Sequence, residues 1–175
     1  MAIASARDAL EAVARGAADG AFVDGIVGPA DPLALADPGL VTSMLVQIAP
    51  MAVMLPSDHP LASRSGLAWS AVADAQWLDA PAIAPTMAPG AAQLLHRRTN
   101  GTVYDGHDAE TIVSLVARGH GLALVPQWWP TERAEVRCVV VREPPLVHRV
   151  ELVVLRSRAE EWSQHLDPHA PPAHA

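Results

Sequence analysis

The sequence is poor in the residues that build covalent cross-links, metal sites and nucleic-acid surfaces. Its 175 residues include one cysteine, Cys138, which excludes an internal disulfide and a zinc site made of several cysteines. Lysine is absent, all 12 basic residues are arginine, and the formal net charge is −7. Because a protein that binds duplex DNA needs a basic surface, we expect this chain alone not to bind nucleic acid.

Long apolar runs and catalytic signatures are missing too. No run approaches the roughly 20 residues of a membrane-spanning helix, and the N-terminus lacks the pattern of a signal peptide, so we expect a cytoplasmic protein. The sequence contains no Gly-x-Ser-x-Gly elbow and no His-Glu-x-x-His motif. His165 and His169 are four residues apart, but Pro168 breaks the helix that would align them. We therefore expect no enzymatic activity, no metal and no cofactor.

Half of the residues are apolar, enough for a proper core, and their order predicts an α/β fold. The clearest segment is Ala109–Pro126. Asp108 is placed to cap a helix, Gly119 follows the helix where a left-handed residue is favoured, and Leu122–Val125 is an unalternated run typical of a buried strand. A helix that leads into a buried strand favours a mostly parallel sheet flanked by helices.

The remaining pattern alternates strands and helices in the same way. A helix capped by Ser5 precedes a strand at Ala21–Val27, and further helices are predicted at Leu67–Ala75, Gly90–Thr99 and Ala159–Leu166. Other strands are predicted at Met51–Leu55, Trp77–Ala80, Thr102–Tyr104, Val136–Val141 and Val147–Leu155. Proline-rich crossings near Pro56 and Pro126 indicate two lobes with a cleft between them.

Three stretches resemble the effector domain of LysR-type transcriptional regulators, in the order and at about the spacing of that family. Leu10–Val23 is similar to a helix and strand of the first subdomain, and Ala109–Pro126 to a helix-turn-strand along the effector cleft. Met51–Ala62 resembles the strand that crosses between subdomains, and its Asp-His-Pro-Leu-Ala run is the most specific part. The resemblance covers the chain from Ser5 to Arg158.

The resemblance implies a two-lobed fold of the periplasmic-binding-protein type. Lobe I is expected at residues 1–54 and 132–166, lobe II at residues 55–131, and a flexible tail at residues 167–175. The helix-turn-helix, the linker helix and the leading strand and helix of the first subdomain have no counterpart in this sequence, so we expect lobe I to be incomplete.

The resemblance also implies a set of ligand-binding residues around the starts of helices, whose backbone N–H groups hold anions. These residues are Ser5, Thr86, Met87, His107, Asp108 and Val125. Each hydroxyl or carboxylate has a second interpretation. Ser5 and Asp108 are also ordinary helix caps, and the charge of Asp108 would repel an anionic ligand. Thr86 is also a loop residue whose hydroxyl bonds its own backbone.

Two further features keep alternatives open. His59 fixes a turn or takes part in chemistry, and the absence of a partner nucleophile favours the turn. Trp128 and Trp129 are either a packed pair or an aromatic wall for a planar ligand or a partner subunit.

The leading hypothesis is an effector-binding, small-molecule-sensing domain of a LysR-type regulator that lacks its DNA-binding domain. Its ligand would be anionic or aromatic, and its partner a second copy or a full-length regulator. The alternatives are a stand-alone small-molecule-binding or heterodimerising module and, disfavoured by the missing motifs, an α/β enzyme. A secreted solute-binding protein shares the architecture but is disfavoured by the missing signal sequence.

Overall fold

The computed structural model describes residues 6–33, 35, 41–80, 101–106, 108–129 and 133–166. Within them the helices are α1 (Ala6–Ala14), α2 (Ala109–Ala117) and α3 (Ala159–Leu166). The strands are β1 (Gly20–Val27), β2 (Val41–Pro56), β3 (Leu67–Ala68), β4 (Trp77–Asp79), β5 (Gly101–Val103), β6 (Ala123–Pro126), β7 (Val136–Glu143) and β8 (Val147–Leu155). Short 3-10 turns follow β3 at Trp69–Ala71 and β8 at Arg156–Arg158. None of these described helices is long and apolar enough to cross a membrane.

The chain divides into two compact units. Unit 1 comprises Met1–Asp24, Leu33–Ile48 and Arg149–Ala175, and unit 2 comprises Gly25–Pro32 and Ala49–His148. The chain therefore passes from one unit to the other inside β1, β2 and β8, and again in the loop after β1.

These units differ from the lobes that the sequence predicts. Residues 133–148 belong to unit 2, because β7 pairs with β2 there, whereas they fall in predicted lobe I. Pro56 and Pro126 mark the predicted crossings, yet both lie inside unit 2. The predicted tail, residues 167–175, lies outside the described residues, and the lobe assignment stays a prediction.

Unit 1 is organised around the strand order β1-β8-β2. Its helix α1 places Leu10 and Val13 on one face, and both are buried in a cluster with residues of all three strands. That cluster consists of Leu10, Val13, Val23, Val41 and Val153. Gly16, at φ +69°, follows α1 where a left-handed residue ends the helix. The predicted helix and following strand are therefore present.

A buried carboxylate joins three segments of unit 1. The side chain of Glu151 in β8 is only 1% exposed. Its Oε1 accepts a hydrogen bond from the Arg149 Nε–H and one of 3.4 Å from the backbone N–H of Leu33. Burial raises the pKa of Glu151, but hydrogen bonds from Ser43, Arg149 and Leu33 outweigh it and hold the pKa below its usual value.

Unit 2 is built on the second half of β2. Ala52 pairs with Val125 of β6 and also with Val140 of β7, and both pairings are antiparallel. A strand pairs with one neighbour along each of its two edges, so β6 and β7 must lie on opposite sides of β2. Next to β7 runs β3, in parallel, and β4 and β5 form a separate parallel pair.

The buried run Met51–Leu55 supplies both faces of the core of unit 2. Met51, Val53 and Leu55 belong to one apolar cluster and Met54 to another, as the two-residue period of a strand requires. The first cluster also holds Trp69 stacked on Trp77, with ring centroids 4.9 Å apart. The second is covered by α2 through Ile112, Val113 and Val116. A strand covered on both faces needs the continuous apolar run that the sequence shows.

Two expectations about local structure are wrong. A mostly parallel sheet is expected, but the sheet is mixed, because β2 runs antiparallel to both β6 and β7. Side-chain patterns report burial and leave strand direction open. The helix predicted at Leu67–Ala75 is instead the two-residue strand β3 and one 3-10 turn, since Leu67 pairs with Val141 of β7 and strand pairing overrides the helical spacing.

The Glu151 interactions predict a pH-dependent contribution to stability. Because the folded pKa lies below that of an unfolded glutamate, about 4.3, the carboxylate stabilises the fold above that pH. This stabilisation is lost as pH falls through the folded pKa. We expect Glu151→Gln to lower the free energy of unfolding at pH 7 by roughly 1–3 kcal/mol. Urea unfolding followed by circular dichroism should show the difference shrinking at acidic pH.

The matched control is Glu11→Gln. Glu11 is largely exposed and pairs with Arg15 at 3.8 Å within α1, so its removal should change stability little. A loss for Glu151→Gln that is as large at pH 3 as at pH 7 would contradict the assignment.

Candidate functional site

The residues that the resemblance assigns to ligand binding are only partly within the described structure. Ser5, Thr86, Met87 and His107 lie outside the described residues. Asp108 and Val125 lie inside them, at opposite ends of the helix-turn-strand segment of unit 2.

Asp108 is the N-cap of α2. Its carboxylate accepts hydrogen bonds from the backbone N–H groups of Glu110 and Thr111, at 3.3 and 2.9 Å, and from the Thr111 hydroxyl at 2.6 Å. The Thr111 hydroxyl bond, together with these backbone bonds, lowers the pKa of Asp108 against the opposing effect of desolvation. The N–H groups that would bind an anion are thus already paired with a carboxylate. A direct ligand contact by Asp108 stays a prediction.

Val125 lies in β6 and is buried. Its side chain belongs to the apolar cluster that also contains Met54, Leu78 and Val113, and its backbone is in register with Ala52 of β2. Val125 therefore holds β6 against the core. Its assignment to ligand binding also stays a prediction.

Two glycines connect α2 to β6 and fix where β6 begins. Gly119, at φ +75°, donates its N–H to the carbonyl of Val116 and closes the helix, as predicted. Gly121, at φ +150°, lies so close to β4 that a Cβ there would be 2.9 Å from the Trp77 carbonyl carbon and from the Leu78 nitrogen. Leu122 then donates its N–H to the carbonyl of Gln76, just before β4, and its carbonyl accepts the N–H of Leu78 in β4.

The turn after β6 places two adjacent tryptophans in different environments. The Gln127 N–H donates to the Pro50 carbonyl of β2 at 2.8 Å, which anchors the turn. Trp129 is 9% exposed and packs in the core beside Val136, whereas Trp128 is 50% exposed. Trp129 is thus packed, whereas the interpretation of Trp128 as an aromatic wall stays a prediction.

The His148 side chain contacts Trp128 of this turn, and the sequence analysis did not identify it as a candidate residue. Its ring centroid is 5.9 Å from that of Trp128, with the planes tilted by 54°, and its side chain is 4% exposed. Trp128 also stacks on Trp129, with centroids 6.4 Å apart and planes 24° apart. The available signal was a histidine at the start of the apolar run Val147–Leu155. We call Trp128, Trp129 and His148 the aromatic cluster.

Unit 2 also contains a solvent-open cavity of about 170 Å³. It lies where the turn after β2 meets the turn after α2, and it is lined by Pro56, His59, Ala75, Gln76, Gly119, Gly121 and Leu122. His59 Nδ1 accepts the N–H of Leu61 at 3.2 Å, which agrees with the prediction that His59 fixes a turn. Within the described ranges, no group of three or more histidine, cysteine or acidic side chains is arranged to hold a metal ion.

Comparison with known proteins gives a family and a fold. The family model described as the LysR substrate binding domain matches residues 1–168. A comparison with curated proteins gives no match.

Among solved structures, the chain is similar to the BenM effector binding domain with its effector benzoate, at 18% identity and a TM-score of 0.69 over 93% of this chain and 72% of that chain. It is also similar to the Corynebacterium glutamicum OxyR C206 mutant, at 24% identity and a TM-score of 0.68 over 93% and 50%. The effector binding domain of QuiR in complex with shikimate matches at 14% identity and a TM-score of 0.63 over 87% and 69%. The chain thus spans half the length of the OxyR chain. The predicted fold class, α/β with two lobes of the periplasmic-binding-protein type, is confirmed by these matches.

The close approach of Gly121 to β4 predicts a large cost for a side chain at this position. In Gly121→Ala the new Cβ must displace backbone, so we expect destabilisation of roughly 1–3 kcal/mol beyond that of Gly119→Ala. At Gly119 a Cβ meets nothing within 4 Å, so only the backbone conformation is strained there. Thermal unfolding of the two variants measures the difference, and equal melting temperatures would refute this packing.

Proposed function

Because the chain belongs to the LysR substrate-binding domain family, whose model matches residues 1–168, we propose that it binds a small-molecule effector and transmits its occupancy to transcription. The family match carries this proposal. It confirms the resemblance that Leu10–Val23, Met51–Ala62 and Ala109–Pro126 show in the sequence.

The effector we propose is anionic or aromatic. The solved structures of similar fold include a domain with benzoate and one with shikimate, both cyclic carboxylates. Ser5, Thr86, Met87, His107, Asp108 and Val125 remain the proposed ligand-binding positions. Among them, Asp108 also caps the start of α2, because its carboxylate oxygens accept hydrogen bonds from the backbone N–H groups of Glu110 and Thr111.

The regulatory step would be a shift between conformations that bind the effector with different affinity. The net charge of −7 disfavours binding of this chain to DNA, so the proposal assigns DNA binding to a separate domain that acts with it. The chain would form an oligomer with a second copy of itself or with a full-length regulator. The proposal places the protein in the cytoplasm and assigns it no catalytic activity, which agrees with the regulatory domains among its structural neighbours.

A thermal-shift screen of the full chain tests the proposal. The panel should contain aliphatic carboxylates, hydroxy acids, sugars, amino acids and aromatic acids, each at millimolar concentration. A ligand at 100 times its Kd stabilises the folded state by about 2.7 kcal/mol, so at least one compound should raise the melting temperature by several degrees. A hit is then measured by isothermal titration calorimetry.

Two outcomes separate the proposal from its rivals. A panel in which no compound raises the melting temperature would refute effector binding by this chain. Turnover of a bound compound, followed by mass spectrometry of the mixture, would favour the enzyme alternative instead.

A further inference from the structure

The part of β2 that belongs to unit 1 ends in an outer strand segment, residues 44–48. The strand order in unit 1 is β1-β8-β2, so β8 lies along one edge of this part of β2. The pairs of β2 with β6 and β7 involve residues 51–56, which belong to unit 2. Among the described residues, no strand therefore lies along the second edge of residues 44–48. The backbone N–H and C=O groups of such an edge can pair with a strand of another chain.

This outer segment also carries most of the exposed large apolar side chains of unit 1. In the described part of that unit there are four, and three of them are Leu45, Val46 and Ile48, at 49%, 42% and 45% exposure. The fourth is Phe22 of β1. Because successive side chains of a strand point to opposite faces, Leu45 lies on one face and Val46 and Ile48 lie on the other. Apolar side chains are thus exposed on both faces of one outer strand.

The described neighbours of β2 in unit 1 cover it only up to this segment. On one face, the Ser43 hydroxyl donates a hydrogen bond to the Glu151 carboxylate. On the other face, the Ser163 hydroxyl of α3 donates to the Met44 sulfur at 3.2 Å. The next residue on each face is exposed. The exposed surface therefore begins where these contacts stop.

The composition of this strand favours a second copy of the same strand as its partner. Residues 41–48 contain no charge, no glycine and no proline, and charges and prolines are among the means by which proteins protect an exposed edge. The other outer strand of unit 1, β1, contains Gly20 and Asp24. In a pair related by a two-fold axis, a charge near the axis would face an identical charge. An uncharged apolar strand avoids this repulsion.

An antiparallel pair about a two-fold axis determines which residues meet. Residues directly opposite each other in such a pair lie on the same face of the sheet. With the axis at Val46, the centre of residues 44–48, Val46 lies opposite its own copy. Met44 then lies opposite Ile48 on the same face, and Leu45 lies opposite Gln47 on the other. The same surface is used on both copies, so the assembly closes as a dimer.

The length of the strand limits the strength of this dimer. Eight residues of strand are about 27 Å long and, with side chains on both faces, bury on the order of 400 Å² on each copy. A stable protein interface buries about 800 Å² per partner. We therefore expect a weak dimer that forms in the micromolar range.

We propose that the outer edge of residues 44–48 is a self-association surface, on which the same residues of a second copy pair as an antiparallel strand. This inference rests on the proposed function in one respect, since it specifies how the second copy named there is bound.

Sedimentation equilibrium of the full chain across the micromolar range tests the proposal. The mass of the wild type should rise from monomer to dimer and no further. Val46→Lys places two like charges opposite each other, so the Kd of the dimer should rise at least about 10-fold. The matched control is Phe22→Lys, which makes the same change of charge at the more exposed apolar side chain of β1. It should leave the Kd at the wild-type value.

A charge swap tests whether Val46 faces its own copy. Val46→Glu alone should dimerise as weakly as Val46→Lys, whereas an equimolar mixture of the two should recover the dimer, because opposite charges then meet. Val46 is 42% exposed, so both variants should fold, which circular dichroism and the melting temperature verify. Recovery in the mixture decides the question even if one variant is less stable than the wild type.

Several outcomes would overturn this pairing. They are a wild type that stays monomeric or grows beyond a dimer, a Kd that Val46→Lys leaves unchanged, a mixture that does not recover the dimer, and dissociation by Phe22→Lys. The proposed function fails separately. A chain that binds a compound of the screen as a monomer keeps effector binding and loses the edge pairing. A chain that dimerises through Val46 and binds no compound does the reverse.

Discussion

The pairing of β2 on both of its edges is the constraint on which the rest of unit 2 depends. Ala52, Val53 and Met54 each have one partner in β6 and another in β7. The side chains of Val53 and Met54 belong to different apolar clusters, so a shift of the register by one residue would exchange the two faces of the core. This strand therefore sets the position of β6, and through β6 it sets the turn that carries Trp128.

The features predicted correctly from the sequence are those that neighbouring residues determine. Asp108 caps α2 and Gly119 closes it, because a cap and a left-handed glycine act within one turn of helix. The direction of β6 relative to β2 depends on how distant segments meet, and the expected parallel sheet is wrong for that reason. The same applies to Leu67, which pairs with β7 where helical spacing favours a helix.

Prediction from the sequence meets the same limit at single residues of the candidate site. Trp128 and Trp129 are identical and adjacent, yet the turn directs one into the core and the other outward. No pattern in the sequence distinguishes them, since their fate depends on the hydrogen bond between Gln127 and the distant Pro50. His148 was missed because a histidine in a strand rarely signals a ligand, and only the tertiary fold brings it to Trp128.

The start of α2 and the aromatic cluster differ in what they offer a ligand. At the start of α2, the Asp108 carboxylate already accepts bonds from the first-turn N–H groups, so an anion there would compete with a negative charge that is part of the protein. At the cluster, an indole is exposed and its supporting rings are buried. Its turn is bonded to Pro50, next to the position where β2 passes from one unit to the other.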